Sequence, residues 1–471
     1  MLDRDRPTRA RAGHALLRAR GAVRYTDDQV VPGALYAKAV RSQVAHGRLR
    51  GVHAAEALAV EGVAAVVTIE DLRKVTEHVY IGPAYRDQPL LADGRVRHFG
   101  EPVAVVLAEN ARIAAEAAEL VEIEVEELPV VLDGIEAMSP EAPILHDDLS
   151  AASDFEDLKA MRRSVGGNVY VTHRLRTGDF DEVAKSAARV VEHVFETASV
   201  CATPLETISS IVIPRPDGGL DVRSQTQMPS YVRKQLARVF TLPESVIRVT
   251  QAPLGGGYGL KIYVRLEALT AACALATNRP VVMKTTMEEQ FYLPNQRGTT
   301  TRMASALDED GNVLARRAHV VWNGGAYADI GPRMVQKSGF VASGPYEIPV
   351  VDLESSGVYT NRVPAGAIRG FGVPQVVWAH EMHTAMIAAE IGADPVEYRR
   401  RHLLKMGDAH ATGTVLDHCD PPQVLDRISE LLEAVPLPEP EPGGQRDGSM
   451  FGRGIALGLK AVLTPSTSVA K

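Results

Sequence analysis

Leu254-Gly255-Gly256-Gly257-Tyr258-Gly259-Leu260-Lys261 lies between a run that reads as a strand, Val246 to Thr250, and an Ala-rich stretch that reads as a long helix to about Ala276. Four glycines at a strand-to-helix junction let the backbone turn sharply and leave N–H groups unshielded by side chains. The N-terminus of the expected helix adds partial positive charge and Lys261 a full one, so an anionic oxygen or phosphate of a cofactor can sit there. The pattern is neither a Walker A loop nor a dinucleotide-binding fingerprint, and a plain tight turn accounts for it equally well. No acidic residue sits at a strand end some 20 positions on, which argues against a nicotinamide dinucleotide.

Two further junctions flank this one. Upstream, Ser224-Gln225-Thr226-Gln227-Met228-Pro229 separates a strand, Leu220 to Arg223, from a helix, Ser230 to Phe240, and its amides either bind a ligand or cap the helix. Capping is the simpler reading. Downstream, Pro364 to Gln375 crowds small residues around Arg369 and Phe371 just before an amphipathic helix from Pro374 to Ile391. An anion contact beside an aromatic face for a flat molecule is one reading, and a buried turn is the other. Asp394-Pro395 then marks the start of another helix, running through Arg399 to Leu404. His380-Glu381-Met382-His383 has its histidines three apart, whereas a zincin helix needs four, so the motif reads as an ordinary helix face. No metal ligands are expected from the protein.

The N-terminal region alternates strands (Gly33 to Val40, Val63 to Ile69, Pro102 to Leu107, Val121 to Val125) with short helices, including Ala111 to Leu120, which predicts a small α/β unit. The domain reading is an arm over 1–20, this unit over 21–137, a linker over 138–165, a larger unit over 166–434, and a linker with an incomplete further element over 435–471. The 471 residues carry a net charge of −8 and a mean hydropathy of −0.06, which excludes a general nucleic-acid binder and fits a multidomain globular protein. There is no apolar run long enough to span a bilayer, and no apolar region follows the arginines at 4, 6, 9 and 11, so a cytoplasmic location is expected. The three cysteines, Cys201, Cys273 and Cys419, lie far apart and cannot build an iron–sulfur cluster. Any redox chain must continue elsewhere.

Taken in order, S-Q-T-Q-x-P, G-G-G-Y-G-x-K and G-A-I-R-G-F-G-V-P-Q resemble the molybdenum hydroxylases of the xanthine dehydrogenase/aldehyde oxidase family. Tyr25-Thr26-Asp27-Asp28, Gly33-Ala34-Leu35-Tyr36, Asp87-Gln88-Pro89, Gly100-Glu101-Pro102 and Gly344-Pro345-Tyr346 extend the resemblance over nearly the whole chain. It implies a mixed α+β and α/β fold: an a/b hammerhead domain over 21–137, followed by the first part of the molybdopterin-binding domain over 166–434. It further implies a molybdenum–molybdopterin cofactor, as the cytosine dinucleotide in bacterial forms, with the metal held by the pterin dithiolene. Electrons would pass to 2Fe-2S clusters and FAD on partner subunits, in a dimer of heteromers.

Residue by residue, the resemblance places Gln227, Gly256, Gly257, Tyr258, Gly259 and Arg369 at the cofactor, with Gly255 helping to shape the cradle. It places Phe371, Lys337 and Ile262 at the substrate. Purine-oxidising members have a glutamate at the position of Ile262 and an arginine at that of Lys337, so an N-heteroaromatic compound such as nicotinate is expected first and an aldehyde next. A cysteine replaces Gly370 in carbon monoxide dehydrogenases, which argues against a molybdenum–copper site. The family's later M-G-Q-G loop and general-base glutamate have no counterpart here. No catalytic residue is therefore assigned to this chain, and a second molybdopterin-binding chain is expected to complete it. The alternative is a non-catalytic scaffold that keeps the fold without the cofactor.

Overall fold

The computed structural model describes residues 15–147, Ser153, Phe155, Leu158, 167–435 and 453–460. Most of the N-terminal arm, part of the 138–165 linker, and the Pro- and Glu-rich linker with most of the chain after it lie outside the described residues.

Short apolar runs in the first unit form the strands Leu35–Arg41, Val63–Val67 and Pro102–Ala108, the last buried along nearly its whole length. Asn110 caps the helix Ala111–Ala118 by accepting a hydrogen bond from the Ile113 N–H. These strands do not close a sheet of their own. Leu35–Arg41 pairs in parallel with Val281–Lys284, so one seven-stranded sheet runs through both units. Its order is Ile247–Gln251, Leu220–Ser224, Ser209–Pro214, Val281–Lys284, Leu35–Arg41, Pro102–Ala108, Val63–Val67. The helices Pro229–Val239 and Glu267–Thr277 bury Val232, Leu236, Leu269 and Cys273 in the core of this sheet.

A second, five-stranded sheet has the order Arg189–Thr197, Thr299–Leu307, Val313–Gly325, Val350–Tyr359, Val169–Arg176. Its core, around Trp322, Val335, Val351 and Val376, is covered by the helices Gly331–Gly339 and Val373–Glu390. A small three-stranded sheet, Arg95–Val96, Gly47–His53 and Glu122–Glu127, completes the first unit.

Two expectations are corrected. The long helix does not start at the glycine cluster: residues 260–266 remain irregular and helix begins at Glu267. Leu260, Tyr263, Val264 and Leu266 are buried there, and the Glu267 carboxylate accepts from the Arg265 N–H at 2.8 Å and the Ser224 hydroxyl at 2.5 Å, which fixes the turn instead. The helix Val373–Glu390 is present, but its buried face is mixed, with Val376, Ala379, Ile387 and Ala388 sharing it with polar side chains. His380, Glu381, His383 and Thr384 are buried, while Trp378, Met382 and Met386 are exposed. Most of these buried polar atoms find partners among the described residues, His380 Nε2 excepted, which is what makes their burial tolerable. His383 bonds to Ser305 and His193, and Glu381 to Arg399, Tyr346 and His380. Downstream, Asp394 caps Pro395–His402 through the N–H groups of Val396 and Glu397.

Candidate cofactor and substrate site

Gln227 leaves the end of the Leu220–Ser224 strand and lies against the glycine loop. Its backbone N–H donates to the Lys261 carbonyl at 2.7 Å, and its Oε1 accepts from the Gly259 N–H at 3.1 Å. The amides therefore cross-link loops: neither Gln225 nor Gln227 caps the Pro229–Val239 helix, and Gln225 donates to Ser209. Absence of side chains is what permits the approach. A Cβ on Gly257 would sit 2.6 Å from Gln227 Oε1, and one on Gly259 would sit 2.5 Å from the Ala367 carbonyl oxygen.

The third junction closes onto the second. Arg369 N–H donates to the Tyr258 carbonyl at 2.8 Å, and both side chains are exposed. Three segments far apart in sequence thus share one place, at the ends of the strands Leu220–Ser224 and Ile247–Gln251. Among the described residues, no protein acceptor is bonded to the N–H groups of Gly256, Gly257 and Tyr258.

Phe371 sits where the two large cores meet and packs against both. Its N–H donates to the Ile368 carbonyl at 2.8 Å, and its own carbonyl accepts from the Ser338 hydroxyl at 2.6 Å. Ser338 is buried on the helix Gly331–Gly339, one position after half-buried Lys337. Ile262, whose N–H donates to the Gly259 carbonyl at 3.1 Å, packs with Ile368 and Phe371 against the first core. Of the residues expected at the cofactor, Gln227, Gly257, Tyr258, Gly259 and Arg369 come together in one group, and Ile262 and Phe371 border it. Lys337 precedes Ser338 on the helix Gly331–Gly339, and the bond to Phe371 is made by Ser338.

Lys261 does not serve as the free cation expected beside the loop. It is buried, and its Nζ donates to the Glu206 carboxylate at 3.1 Å and the Glu206 carbonyl at 2.8 Å. Glu206 Oε2 also accepts from the Gly255 N–H at 2.6 Å. The anion held at Gly255 and Lys261 is the chain's own. Burial pulls the Lys261 amine below its usual value, against the opposing pull of Glu206.

Several contributors carry no motif and escape a reading of the sequence. Glu206, Ser338 and the buried pair Arg265–Asp329, at 2.7 Å, are isolated residues. Arg265 Nε also donates to the Leu260 carbonyl at 2.8 Å, so it braces the far end of the glycine loop. Arg297 bonds to the carbonyls of Gly366 and Ala328 and braces the third junction. Among the described residues there is no group of three His, Cys, Asp or Glu side chains placed to hold a metal. No helix among them is long and apolar enough to cross a membrane.

Residues 162–403 match the family model of the molybdopterin cofactor-binding domain, which takes in all three converging segments. The chain belongs to the xanthine dehydrogenase/aldehyde oxidase family of molybdopterin-binding proteins. Residues 20–129 match the a/b hammerhead domain of aldehyde oxidase and xanthine dehydrogenase. A probable xanthine dehydrogenase subunit of Bacillus subtilis is 33% identical over 416 residues, covering 88% of this chain and 52% of that protein. The nicotinate dehydrogenase large molybdopterin subunit of Eubacterium barkeri is 30% identical, covering 86% of this chain and 90% of that one. Among solved structures, quinoline 2-oxidoreductase from Pseudomonas putida 86 superposes with a TM-score of 0.80 at 29% identity, over 89% of this chain and 53% of its own. The chain therefore spans about half the length of some relatives and nearly all of another.

Proposed function

We propose that this chain supplies one half of the molybdenum site, and one wall of the substrate pocket, of a heteromeric hydroxylase acting on an N-heteroaromatic ring or an aldehyde. The observation that carries the reading is the convergence of Gln227, the 256–259 loop and Arg369 beside Phe371. The residues fit a molybdopterin group, preferably as the cytosine dinucleotide. Its oxygen-rich, anionic parts suit open backbone N–H groups, an amide side chain and an exposed arginine. When bound, that group would supply two-electron oxidation with oxygen drawn from water.

The chain's own residues have simpler tasks. Gly257 and Gly259 let the loop approach Gln227 and the 367–369 backbone, and Arg369 presents positive charge at the rim. Phe371 offers a ring face at the seam of the cores, with Ile262 beside it as an apolar wall. An uncharged Ile262 suits a ring or aldehyde better than a purine that needs a carboxylate partner there. Nicotinate or a related heteroaromatic is the first substrate to try, since the relative covered over 90% of its length is a nicotinate dehydrogenase subunit. Lys337 would then meet a substrate carboxylate.

The remaining parts of the reading are a second molybdopterin-binding chain bearing the general base, iron–sulfur and FAD subunits, assembly as a dimer of heteromers, and a cytoplasmic location. Purification of the native complex, with mass spectrometry of its chains and elemental analysis, tests it. Near-stoichiometric molybdenum with the partner chains present is the expected result. Intact partners without molybdenum would favour the cofactor-free scaffold.

A further inference from the structure

The first unit grips three consecutive residues of the second. Tyr327, Ala328 and Asp329 lie between the strand Val313–Gly325 and the helix Gly331–Gly339, and all three are buried. The Tyr327 hydroxyl donates to the Glu101 carboxylate, and the Ala328 N–H donates to Asp87 Oδ2 at 2.7 Å. The Asp329 carbonyl accepts from the Ala84 N–H at 3.2 Å. Asp87 Oδ2 also accepts from the Tyr359 hydroxyl at 2.8 Å, and the residue is only 2% exposed. Asp87 lies in none of the three converging segments. Burying a carboxylate at such a seam costs more than burying an apolar side chain of similar size. Apolar contact has no direction, whereas the carboxylate fixes where the Ala328 N–H points.

The turn held in this way carries the two arginines that brace the cofactor segments. Asp329 Oδ2 accepts from Arg265 Nη1 at 2.7 Å, and Arg265 Nε reaches the Leu260 carbonyl at the end of the glycine loop. The Ala328 carbonyl accepts from Arg297 Nη2 at 2.9 Å, and Arg297 Nη1 reaches the Gly366 carbonyl, three residues before Arg369, at 3.2 Å. Both guanidinium groups are buried, and a planar fork of donors ties the direction of one bond to that of the next. Asp329 holds its backbone at φ 48°, a conformation that a residue with a side chain keeps only where its surroundings impose it. A displacement of residues 328 and 329 therefore moves both arginines, and with them both loops, at once.

We propose that Asp87 is a positioning residue for the cofactor site: from the first unit it fixes the turn at 328–329, and through Arg265 and Arg297 it sets the glycine loop and the Arg369 segment in register with each other. The inference rests on the proposed molybdenum site at those segments. Asp87 acts at a distance, through the turn and two side chains, and its bonds to Ala328 and Tyr359 are the start of both routes. The first unit is then part of the frame of the site. Small displacements matter in such a frame, because a reacting geometry tolerates errors well below 1 Å.

The test uses the full chain and its native complex, with three variants. Asp87→Ala removes the acceptor, and Asp87→Asn keeps an oxygen that can accept from both Ala328 and Tyr359. Phe180→Ala opens a cavity in a cluster that includes none of these residues. In the full chain without cofactor, Asp87→Ala is expected to speed hydrogen exchange at the Gly259 and Arg369 amides, which bond Gln227 and the Tyr258 carbonyl. The gain should be at least tenfold beyond that of amides in the middle of both sheets, which report global unfolding. In the native complex, Asp87→Ala should weaken cofactor retention about tenfold, the size usual for groups that orient the ligands of a metal site, read as molybdenum per complex. Asp87→Asn should restore both readouts. Phe180→Ala should lower the melting temperature at least as much and show neither effect, which separates positioning from overall stability. The inference is overturned if the two amides gain no more than the sheet amides in Asp87→Ala, or if molybdenum does not fall with them. It is equally overturned if Phe180→Ala shows the same local gain or Asp87→Asn behaves as Asp87→Ala. The proposed function survives each of these while the wild-type complex carries molybdenum. If Asp87→Ala does not fold, Tyr359→Phe removes one of the two bonds to Oδ2 and carries the test, with a threefold local gain expected; unchanged amides then overturn the inference. A wild-type complex without molybdenum overturns the proposed function, and this inference with it.

Discussion

Tyr258 and Phe371 hold their backbones at φ 51° and 54°, a region that bulky residues enter at a cost of about 1–3 kcal/mol. Both lie in the converging segments, and each is secured by its carbonyl: Tyr258 accepts from the Arg369 N–H and Phe371 from the Ser338 hydroxyl. Ser338→Ala should remove about 1 kcal/mol of stability, the net worth of one buried hydrogen bond, and release Phe371. In the assembled enzyme this predicts a roughly tenfold higher KM for a flat substrate with kcat little changed, restored in part by Ser338→Thr. Gly259→Ala should be harsher, because the added Cβ strikes the Ala367 carbonyl and φ is 98°. A loss of about 2 kcal/mol in urea unfolding and a fall in bound molybdenum per complex are expected. At this scale the legible residues were those in short patterned runs, such as Gln227, Tyr258 and Arg369. Ser338 and Glu206 act through a single bond to a distant loop, and a single serine or glutamate leaves no pattern to read.

Periodicity located the Val373–Glu390 helix to within a residue or two but did not show how many polar groups its buried face holds. Its buried side can carry polar groups among apolar ones because their partners come from elsewhere in the chain, which no local pattern encodes. Glu381 is the clearest case. Burial pushes its carboxyl up, but His380, Tyr346 and Arg399 outweigh burial and hold it at about 2. The carboxylate bonds Arg399 Nε at 2.9 Å and the Leu457 N–H, and so ties together two helices and the 453–460 segment. Glu381→Gln should cost roughly 3 kcal/mol by leaving the buried Arg399 without its counter-charge, measured by urea unfolding at neutral pH. A carboxyl depressed by folding contributes stability above its unfolded value, about 4.3, and loses it as pH falls toward the folded value. The gap between wild type and Glu381→Gln should therefore be constant above about pH 5 and narrow between there and pH 2. Lys261 misled in a related way: it reads as a free cation beside the loop, and it is bonded to Glu206, which also takes the Gly255 N–H.

The two family-matched regions, 20–129 and 162–403, look like separate modules in sequence, yet one sheet runs through both. Leu35–Arg41 lies between Val281–Lys284 and Pro102–Ala108, with hydrogen-bonded neighbours on each side. Urea unfolding followed by far-UV circular dichroism and by tyrosine fluorescence should give one coincident transition, since neither region can melt without stripping an edge from the other. Two separated transitions would count against this coupling. Strand alternation revealed the strands themselves, but the pairing of Leu35 with Val281 depends on long-range packing that a local pattern does not contain. That pairing also sets a timetable for the nascent chain. Roughly 250 residues separate the two strands, so at 5–20 residues per second the ribosome needs on the order of 10–50 s to deliver the second after the first. Through that interval the Leu35–Arg41 edge waits as an open template in a crowded cell, and chaperone occupancy of the emerging polypeptide should peak there and fall once Lys284 has cleared the exit tunnel.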